Sequence, residues 1–276
     1  MNDARNFSEL ISAQWSRKKF LCIGLDPGFE MIPEVARTSN IHDTFLKFNT
    51  TIIDATKHIV CAFKLNPAFY EAQGVEGWRA LKDTIEYCIA VTPDVPVILD
   101  AKRGDIANTN SDYAKMAFDF FGADAVTVQP YPGGDALKPF FERRTKGIFV
   151  LVRTSNGGAG EFQDLEVRGE PLYKFVSRAA KRWNTAGNCG VVVGTTYPRE
   201  VGDVRSVIDD MPILMPGIGA QGGDLKTSVQ GGVNSKGSGI IVSASRAIIF
   251  ASQGRDYAEA ARAKAQDLHA SIQNML

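Results

Sequence analysis

Eight short apolar segments recur along the chain, separated by longer segments in which apolar residues recur at helical spacing. The apolar segments are rich in Val and Ile and mostly continuous, as expected of strands that are covered on both faces. They are FLCIGLDP (20–27), IVCAFKLNP (59–67), VPVILDAK (95–102), DAVTVQPY (124–131), GIFVLVRT (147–154), CGVVVGTT (189–196), PILMPGIG (212–219) and GIIVSASR (239–246). The pattern predicts buried strands of a parallel sheet.

The intervening segments predict helices. Phe45, Phe48, Ile52 and Ile59 recur at helical spacing after Asp43, which we expect to cap that helix. Similar apolar stripes are formed by Trp78, Leu81, Ile85 and Cys88, by Tyr113, Met116, Ala117 and Phe120, and by Val201, Val204 and Ile208. Two further helices are predicted, one opened by Pro171 and running through Trp183, the other from Tyr257 to Leu276.

The order of these elements indicates the architecture. Eight strands alternating with helices in 276 residues predict an α/β fold, a (β/α)8 TIM barrel that forms a single domain over residues 1–276. A doubly wound open sheet is the main alternative. It is disfavoured because no GxGxxG sequence follows the first strand and no change in composition divides the chain.

Composition and charge narrow the functional classes. Hydrophobic residues make up 44% of the chain, enough for a large core, but no apolar run is long enough to span a membrane. Lys plus Arg and Asp plus Glu number 31 each, so the net charge does not suggest a nucleic-acid-binding protein. Asp3, Arg5 and Glu9 interrupt the N-terminal segment where a signal peptide needs an apolar run.

The cysteines point to a reducing compartment. Cys22, Cys61, Cys88 and Cys189 lie far apart in the sequence and form no CxxC pair. Three of them lie in apolar, strand-like runs, which predicts buried free thiols and a cytoplasmic location.

Polar residues stand where the predicted strands end, which is where the chemistry of TIM barrels takes place. An isolated Asp after a strand is more often a turn former, and an isolated Lys usually extends to solvent. Because carboxylates and ammonium groups alternate over the first three strands, we interpret them as one site. Alternation along a strand also places Asp100 and Lys102 on the same face. The strand ends carry Asp26, Lys64, Asp100 with Lys102, Arg153 with Ser155, Gln221 and Arg246.

Glycine-rich sequences follow the last two predicted strands, GIGAQGGD (217–224) and SASRAI (243–248). In barrels, these two loops commonly bind phosphate through backbone N–H groups and a helix N-terminus. Arg246 can add a bidentate contact. The position of the loops predicts a phosphate site, and the segment 219–239 is a candidate lid; a mobile connection is the alternative interpretation.

Other chemistries find little support in the sequence. His42, His58 and His269 do not lie at predicted strand ends, which disfavours a histidine-based triad or a zinc site. No Walker loop or flavin fingerprint is visible. The residues therefore predict chemistry on a small phosphate ester, with no cofactor and no bound metal.

The sequence LDAKRGDIANT (99–109) resembles the signature of the orotidine 5′-monophosphate (OMP) decarboxylase family, a DxKxxD core followed by a threonine four residues later. The resemblance extends over the whole barrel, through GLDP, FKLNP, PGIGAQGGD and the arginine after the eighth strand. The chain is similar to the longer bacterial form, with extended segments after the fifth and seventh strands. The resemblance implies a homodimer that converts OMP to UMP, the last step of pyrimidine synthesis.

The resemblance also implies a role for each matching residue. Lys64, Asp100, Lys102 and Asp105 would form a charged tetrad with Lys102 as proton donor, and the partner subunit would supply Asp105 and Thr109. Substrate contacts would come from Asp26 and Thr109 at the ribose, Ser155 at the pyrimidine, and Gln221 and Arg246 at the phosphate. Arg103 has no role that the resemblance supplies, and we interpret it as a solvated or interface cation.

Three alternative functions remain. A metal-dependent sugar-phosphate decarboxylase or hexulose-phosphate aldolase shares the DxKxxD barrel, but it has a metal-binding acid where this chain has Lys64. A Schiff-base aldolase usually has a lysine without flanking aspartates. A barrel that binds nucleotides without turnover is disfavoured by the intact tetrad.

Overall fold

Eight parallel strands close into a barrel in the computed structural model, which describes residues 5–217 and 225–276. Each strand pairs with its neighbours in the chain, and the first pairs with the last, so the predicted TIM barrel is confirmed and an open sheet is excluded. The strands are β1 (Leu21–Gly24), β2 (Ala62–Leu65), β3 (Val97–Arg103), β4 (Ala125–Val128), β5 (Gly147–Arg153), β6 (Cys189–Val193), β7 (Ile213–Met215) and β8 (Ile240–Ala244).

Helices connect the strands and cover the outside of the barrel. The predicted helices over 74–91, 172–183, 198–208 and 257–275 are confirmed. The described helices are α1 (Phe7–Ser16), α2 (Ile41–Thr56), α3 (Pro67–Glu71), α4 (Gly74–Val91), α5 (Ala107–Ala114), α6 (Lys138–Phe141), α7 (Gly160–Gln163), α8 (Leu172–Trp183), α9 (Pro198–Ile208), α10 (Leu225–Gly232), α11 (Arg246–Ile249) and α12 (Tyr257–Met275).

Two details of the predicted helices are wrong. The cap of α2 is Asn40 and not Asp43, because the Asn40 side chain accepts a hydrogen bond from the backbone N–H of Asp43. Asp43 lies in the first turn, where its charge suits the positive end of the helix dipole. Ile59 lies beyond the end of α2 at Thr56.

Two connections depart from a simple strand–helix alternation. Helix α5 continues into a π-helical segment, Lys115–Phe120, so the predicted stripe from Tyr113 to Phe120 spans two kinds of helix. The segment between β5 and α8 contains α7 and a short antiparallel hairpin, Glu166–Val167 with Glu170–Pro171. The predicted extension after the fifth strand is thus a folded element.

The barrel strands are apolar on both faces because they separate two hydrophobic clusters. Cys22 of β1 points into the inner cluster, whereas Leu21 and Ile23 on either side of it join the outer cluster beneath the helices. The same alternation places Ile98 inside the barrel and Val97 outside it. This double burial is the physical reason that the strand segments read as continuous apolar runs.

Helix α1, which the hydrophobic pattern did not predict, closes one end of the barrel. The Phe7 ring packs edge-on against Phe149 of β5 with ring centroids 5.5 Å apart. Trp15 Nε1 donates a hydrogen bond of 2.8 Å to the Ile240 carbonyl at the start of β8. Just before the helix, the Arg5 guanidinium lies 2.7 Å from the buried carboxylate of Asp124.

The cysteines are buried free thiols, as predicted. Burial raises the pKa of both Cys22 and Cys189 to about 12, which keeps these thiols protonated at neutral pH. Within residues 5–217 and 225–276, the structure contains no helix with the length and hydrophobicity needed to cross a bilayer.

His42 links the start of α2 to α4. Its Nε2 lies 2.7 Å from Asp83 Oδ2, and its Nδ1 lies 2.9 Å from Asp43 Oδ1. The hydrogen bond with Asp83 is the main reason that the pKa of His42 is raised above its usual value. The protonated form of His42 therefore stabilises the contact between the two helices.

Replacement of His42 by Gln is expected to make stability less dependent on pH. Because the pKa of His42 is raised in the folded state, its contribution is complete below the unfolded value near 6.5 and is lost as pH rises through the folded value. We expect His42→Gln to lower the free energy of unfolding by up to about 1 kcal/mol at pH 5.5, and by less at pH 8.5. Urea unfolding at both pH values measures the difference.

The exposed His58 beyond the end of α2 supplies the control, since His58→Gln leaves the contact with Asp83 in place. A loss in His42→Gln that is the same at both pH values would show that the charge of His42 contributes nothing.

Candidate active site

Four charged side chains form a continuous network at the carboxyl ends of the first three strands. Lys64 Nζ lies 3.3 Å from Asp26 Oδ2 and 3.5 Å from Asp100 Oδ2. Lys102 Nζ lies 2.8 Å from Asp100 Oδ1, so Asp100 contacts both lysines. The structure thus brings together four of the predicted site residues in an alternating order of carboxylate and ammonium.

The register of the strands places Lys64 at the centre of this network. Lys64 pairs with Gly24 of β1 on one side and with Ile98 of β3 on the other. Asp26 follows β1 directly, and its Oδ1 accepts a hydrogen bond of 3.0 Å from the backbone N–H of Asn66. Adjacent strands therefore deliver the two carboxylates to opposite sides of one ammonium.

Electrostatics keep Lys64 and Asp100 ionised although both side chains are largely buried. Burial disfavours the charged form of Lys64, which is only 5% exposed, but the carboxylates of Asp26 and Asp100 outweigh this and raise its pKa above the usual value. Burial likewise opposes ionisation of Asp100, and the two lysines outweigh it and hold the pKa of Asp100 below the usual value. Each charge depends on its neighbours of opposite sign.

Strand β3 is irregular where it carries the network. Leu99 pairs with Val126 and Arg103 pairs with Val128, so the three residues 100–102 lie opposite the single residue Thr127 of β4. Lys102 adopts a left-handed conformation with φ of 47°. The expected proximity of Asp100 and Lys102 is found, but it arises from this bulge and not from regular strand alternation alone.

Arg103 is directed away from the network. Its guanidinium lies 2.7 Å from Glu71 Oε1 and 5.1 Å from the centre of the Tyr113 ring. Of the two interpretations of Arg103, the solvated cation is wrong, because the side chain is 23% exposed and is paired within its own chain. The interface cation stays a prediction.

A cavity of about 840 Å³ opens beside the network. Ser155, which follows β5, and Arg246, which begins α11 after β8, both line it, as the strand-end interpretation predicts. Lys102 does not line the cavity, but its ammonium contacts Asp100, and Asp100 does line it. The lining comprises Asp26, Lys64, Asn66, Phe69, Asp100, Ser155, Pro216, Gly217, Ser243, Ser245, Arg246 and Ala247.

Hydrogen bonds to Thr154 and to the Ser155 carbonyl, together with close packing against Gly194, hold Ser155 in place. The side-chain amide of Gln163 accepts from the backbone N–H of Thr154 at 2.9 Å and donates to its hydroxyl at 2.8 Å. The Ser155 carbonyl accepts a hydrogen bond of 3.2 Å from Thr196. A Cβ atom at Gly194 would lie 2.7 Å from Ser155 Cβ, so a glycine is needed behind the serine.

Arg153 supports this arrangement from the interior and does not line the cavity. It is 1% exposed, and it donates to Gln163 Oε1 at 3.3 Å and to Asp164 Oδ2 at 3.1 Å. Its guanidinium also lies 4.0 Å from the centre of the Tyr197 ring. Although Arg153 stands at a strand end, its contacts hold the segment after β5 in place.

Comparison with known proteins identifies the family. The sequence model of the family described as "Orotidine 5'-phosphate decarboxylase / HUMPS family" matches residues 19–263. The chain belongs to this family. It is 46% identical over 269 residues to orotidine 5'-phosphate decarboxylase of Cellvibrio japonicus, covering 97% of this chain and 98% of the relative. The corresponding protein of Ralstonia nicotianae is 45% identical over 262 residues, covering 94% and 95%.

Solved structures of family members have the same fold over nearly the whole chain. Leishmania donovani OMP decarboxylase superposes with a TM-score of 0.85 at 35% identity and covers 98% of both chains. An orotidine-monophosphate-decarboxylase of Toxoplasma gondii gives 0.85 at 35% identity, covering 98% of this chain and 99% of that one. The resemblance inferred from the sequence signature is confirmed.

Asp105 and Thr109, which the family resemblance assigns to the site, neither join the network nor line the cavity. Asp105 is exposed, and its Oδ1 accepts a 2.6 Å hydrogen bond from the backbone N–H of Ile106. Thr109 lies in the first turn of α5 and does not line the cavity. Gln221 lies outside the described residues, as does much of the predicted phosphate loop, and part of the predicted lid is helix α10.

The sequence interpretation missed several polar residues that hold the site. The Thr127 hydroxyl hydrogen-bonds to Asp100, the backbone N–H of Asn66 to Asp26, and the Gln163 side chain to Thr154. Thr127 could have been noticed as the only hydroxyl in the apolar run AVTV. Gln163 gave no comparable signal because its partner lies nine residues away across an irregular segment.

Proposed function

We propose that this chain decarboxylates OMP to UMP, the last step of pyrimidine biosynthesis, and that Lys64, Asp100 and Lys102 of the network lie at the reacting carbon. The curated relatives over nearly the full length are named orotidine 5'-phosphate decarboxylase, which supports this reaction. The observation that carries the proposal for the site is the buried ammonium of Lys64 between two carboxylates.

The network suits the chemical difficulty of the reaction. Cleavage of the bond between C6 and the carboxylate releases carbon dioxide and leaves an electron pair in the plane of the ring, where the ring cannot delocalise it well. A nearby ammonium stabilises this developing charge electrostatically. Lys102, which is anchored by Asp100, then transfers a proton to C6 to give UMP, and solvent restores the ammonium. Asp100 also repels the substrate carboxylate.

We expect other residues that the resemblance assigns to the site to bind the parts of OMP that do not react. Asp26 would contact the ribose, Ser155 the pyrimidine, and Gln221 and Arg246 the phosphate. Phosphate binding far from the broken bond can supply energy for closure of the site, which then favours the transition state. Arg246 stands at the cavity with no described ion pair among residues 5–217 and 225–276, which leaves its guanidinium available to an anion.

We propose a homodimer in which Asp105 and Thr109 enter the neighbouring site. Neither residue contacts the network of its own chain in the described structure. The exposed Ile106, at 65%, lies beside Asp105 and supplies apolar surface for a twofold contact.

We also propose that the enzyme acts in the cytoplasm. The support is that all four cysteines are unpaired and buried, as suits a reducing compartment.

The metal-dependent alternative is disfavoured by the position of Lys64. Its ammonium lies between Asp26 and Asp100, where it supplies the positive charge that a divalent cation would otherwise bring. An assay with OMP and a chelator, followed by ultraviolet absorbance, separates the two functions. We expect full turnover with the chelator present. Unchanged absorbance with folded protein would refute the proposed reaction, and a requirement for magnesium would favour the alternative.

In the same assay, Lys102→Ala is expected to abolish nearly all turnover, because it removes the proposed proton donor and leaves Asp100 with one lysine partner fewer. The variant should remain folded and should still bind UMP, as measured by circular dichroism and calorimetric titration. A rate within about tenfold of wild type, or roughly 1.4 kcal/mol of activation free energy, would contradict the assigned role.

Arg246→Ala is expected to raise KM for OMP strongly, and to lower kcat as well if phosphate binding drives closure. Orotidine without its phosphate should be a very poor substrate of the wild type, and the ratio of kcat/KM for OMP to that for orotidine should fall in the variant. Arg255→Ala, which changes an exposed arginine outside the cavity lining, is the matched control. An equal ratio in wild type and Arg246→Ala would show that Arg246 does not bind the phosphate.

Mixing two inactive variants tests the shared site. Lys102→Ala and Asp105→Ala should each be almost inactive, but a hybrid dimer collects both defects in one site and leaves the other site wild type. Random exchange makes half of the dimers hybrids, so about a quarter of wild-type activity should return.

The control is a mixture of Lys102→Ala and Lys64→Ala. Both residues belong to one barrel, so each hybrid site keeps one defect and no activity should return. Verified subunit exchange between Lys102→Ala and Asp105→Ala without recovery would refute the shared site.

A further inference from the structure

Thr127 is a buried hydroxyl in an otherwise apolar strand. It lies on β4 between Val126 and Val128, and it is fully buried. A buried hydroxyl needs hydrogen-bond partners to offset the loss of water. Both partners found for Thr127 belong to the network of charged residues on β3.

The direction of these two hydrogen bonds follows from the chemistry of the groups. The backbone N–H of Lys102 can only donate, so Thr127 Oγ1 accepts from it, at 2.9 Å. The hydroxyl hydrogen then remains for Asp100 Oδ1, which lies 2.8 Å away and accepts it. One side chain therefore holds the backbone of Lys102 and the carboxylate that binds the ammonium of Lys102.

The bulge explains why β3 needs such a partner. Residues 100–102 face one residue of β4, and the regular pairing resumes only where the Gln129 N–H donates to the Arg103 carbonyl at 2.8 Å. Within this irregularity the Lys102 N–H bonds to the Thr127 side chain and not to a strand backbone. A left-handed conformation in a residue other than glycine, such as the φ of 47° at Lys102, persists only where its surroundings fix it.

We propose that Thr127 is a positioning residue for catalysis, whose hydroxyl fixes the Lys102 backbone and the Asp100 carboxylate in the arrangement that delivers the proton. Thr127 is fully buried on β4 and does not line the cavity. Its effect acts through Lys102 and Asp100. This inference rests on the proposed function, and wild-type turnover of OMP tests that function separately.

Thr127→Val, which keeps the shape of the side chain and removes the hydroxyl, tests the inference. We expect kcat to fall about 10- to 100-fold, the equivalent of one lost hydrogen bond to a carboxylate. The Kd of UMP should stay within about threefold of wild type, because no residue that lines the cavity is replaced. Thr127→Ser restores the hydroxyl and should return kcat to within about fivefold of wild type.

Thr56→Val is the matched control for the loss of a buried hydroxyl. Thr56 is buried in α2, and its hydroxyl donates to the Ile52 carbonyl at 2.7 Å, far along the chain from the network. This variant should lose thermal stability while keeping kcat. If Thr127→Val does not fold, Thr127→Ala replaces it, because alanine places no branched side chain against the network. The kcat and the UMP Kd of Thr127→Ala are then compared with those of Thr127→Ser.

Kinetics and structure each provide an outcome that would overturn the inference. A kcat for Thr127→Val within about threefold of wild type would do so, as would equal losses in Thr127→Val and Thr127→Ser. A crystal structure of Thr127→Val gives a measure that does not depend on turnover. We expect Lys102 to leave its left-handed conformation or its ammonium to move beyond contact with Asp100, and unchanged geometry would refute the role.

Discussion

The ammonium of Lys64 is buried between the carboxylates of Asp26 and Asp100, and the arrangement of the site depends on this contact. An isolated buried charge costs several kcal/mol, so Lys64 depends on the two carboxylates to remain charged in the barrel. The barrel meets this requirement through strand order: β1, β2 and β3 are neighbours, and their register places one acid on each side of the lysine. A charge removed from any one strand would leave uncompensated charges on the next.

Strand β3 adds a second constraint, because its backbone departs from the regular ladder where the chemistry is placed. The bulge brings Lys102 to the same carboxylate that already balances Lys64. The cost is a left-handed residue and an interrupted ladder, and a side chain from β4 supplies the missing hydrogen bond. Strain at the site is thus balanced by polar contacts from the neighbouring strand.

The rest of the fold holds the edges of this site in place. The segment after β5 carries Ser155 to the cavity, and the buried Arg153 and Gln163 fix that segment from within. These contacts support the mouth of the barrel, where the charges need fixed distances. At the opposite end, where the strands start, α1 packs Phe7 against the inner cluster, and Arg5 just before it pairs with Asp124.

The sequence by itself determined the barrel and the centre of its site. Strands buried on both faces must be continuously apolar, so their positions and their polar ends at Asp26, Lys64, Asp100 and Lys102 could be read directly. The cap of α2 at Asn40 is a local contact that the apolar pattern misplaced by three residues. Local sequence did not determine α1, the inward direction of Arg153 or the role of Thr127, and only the tertiary structure decided them. Trp15 of α1 and Thr127 bond to residues that become neighbours only when the barrel closes, and Arg153 bonds to the irregular segment after β5.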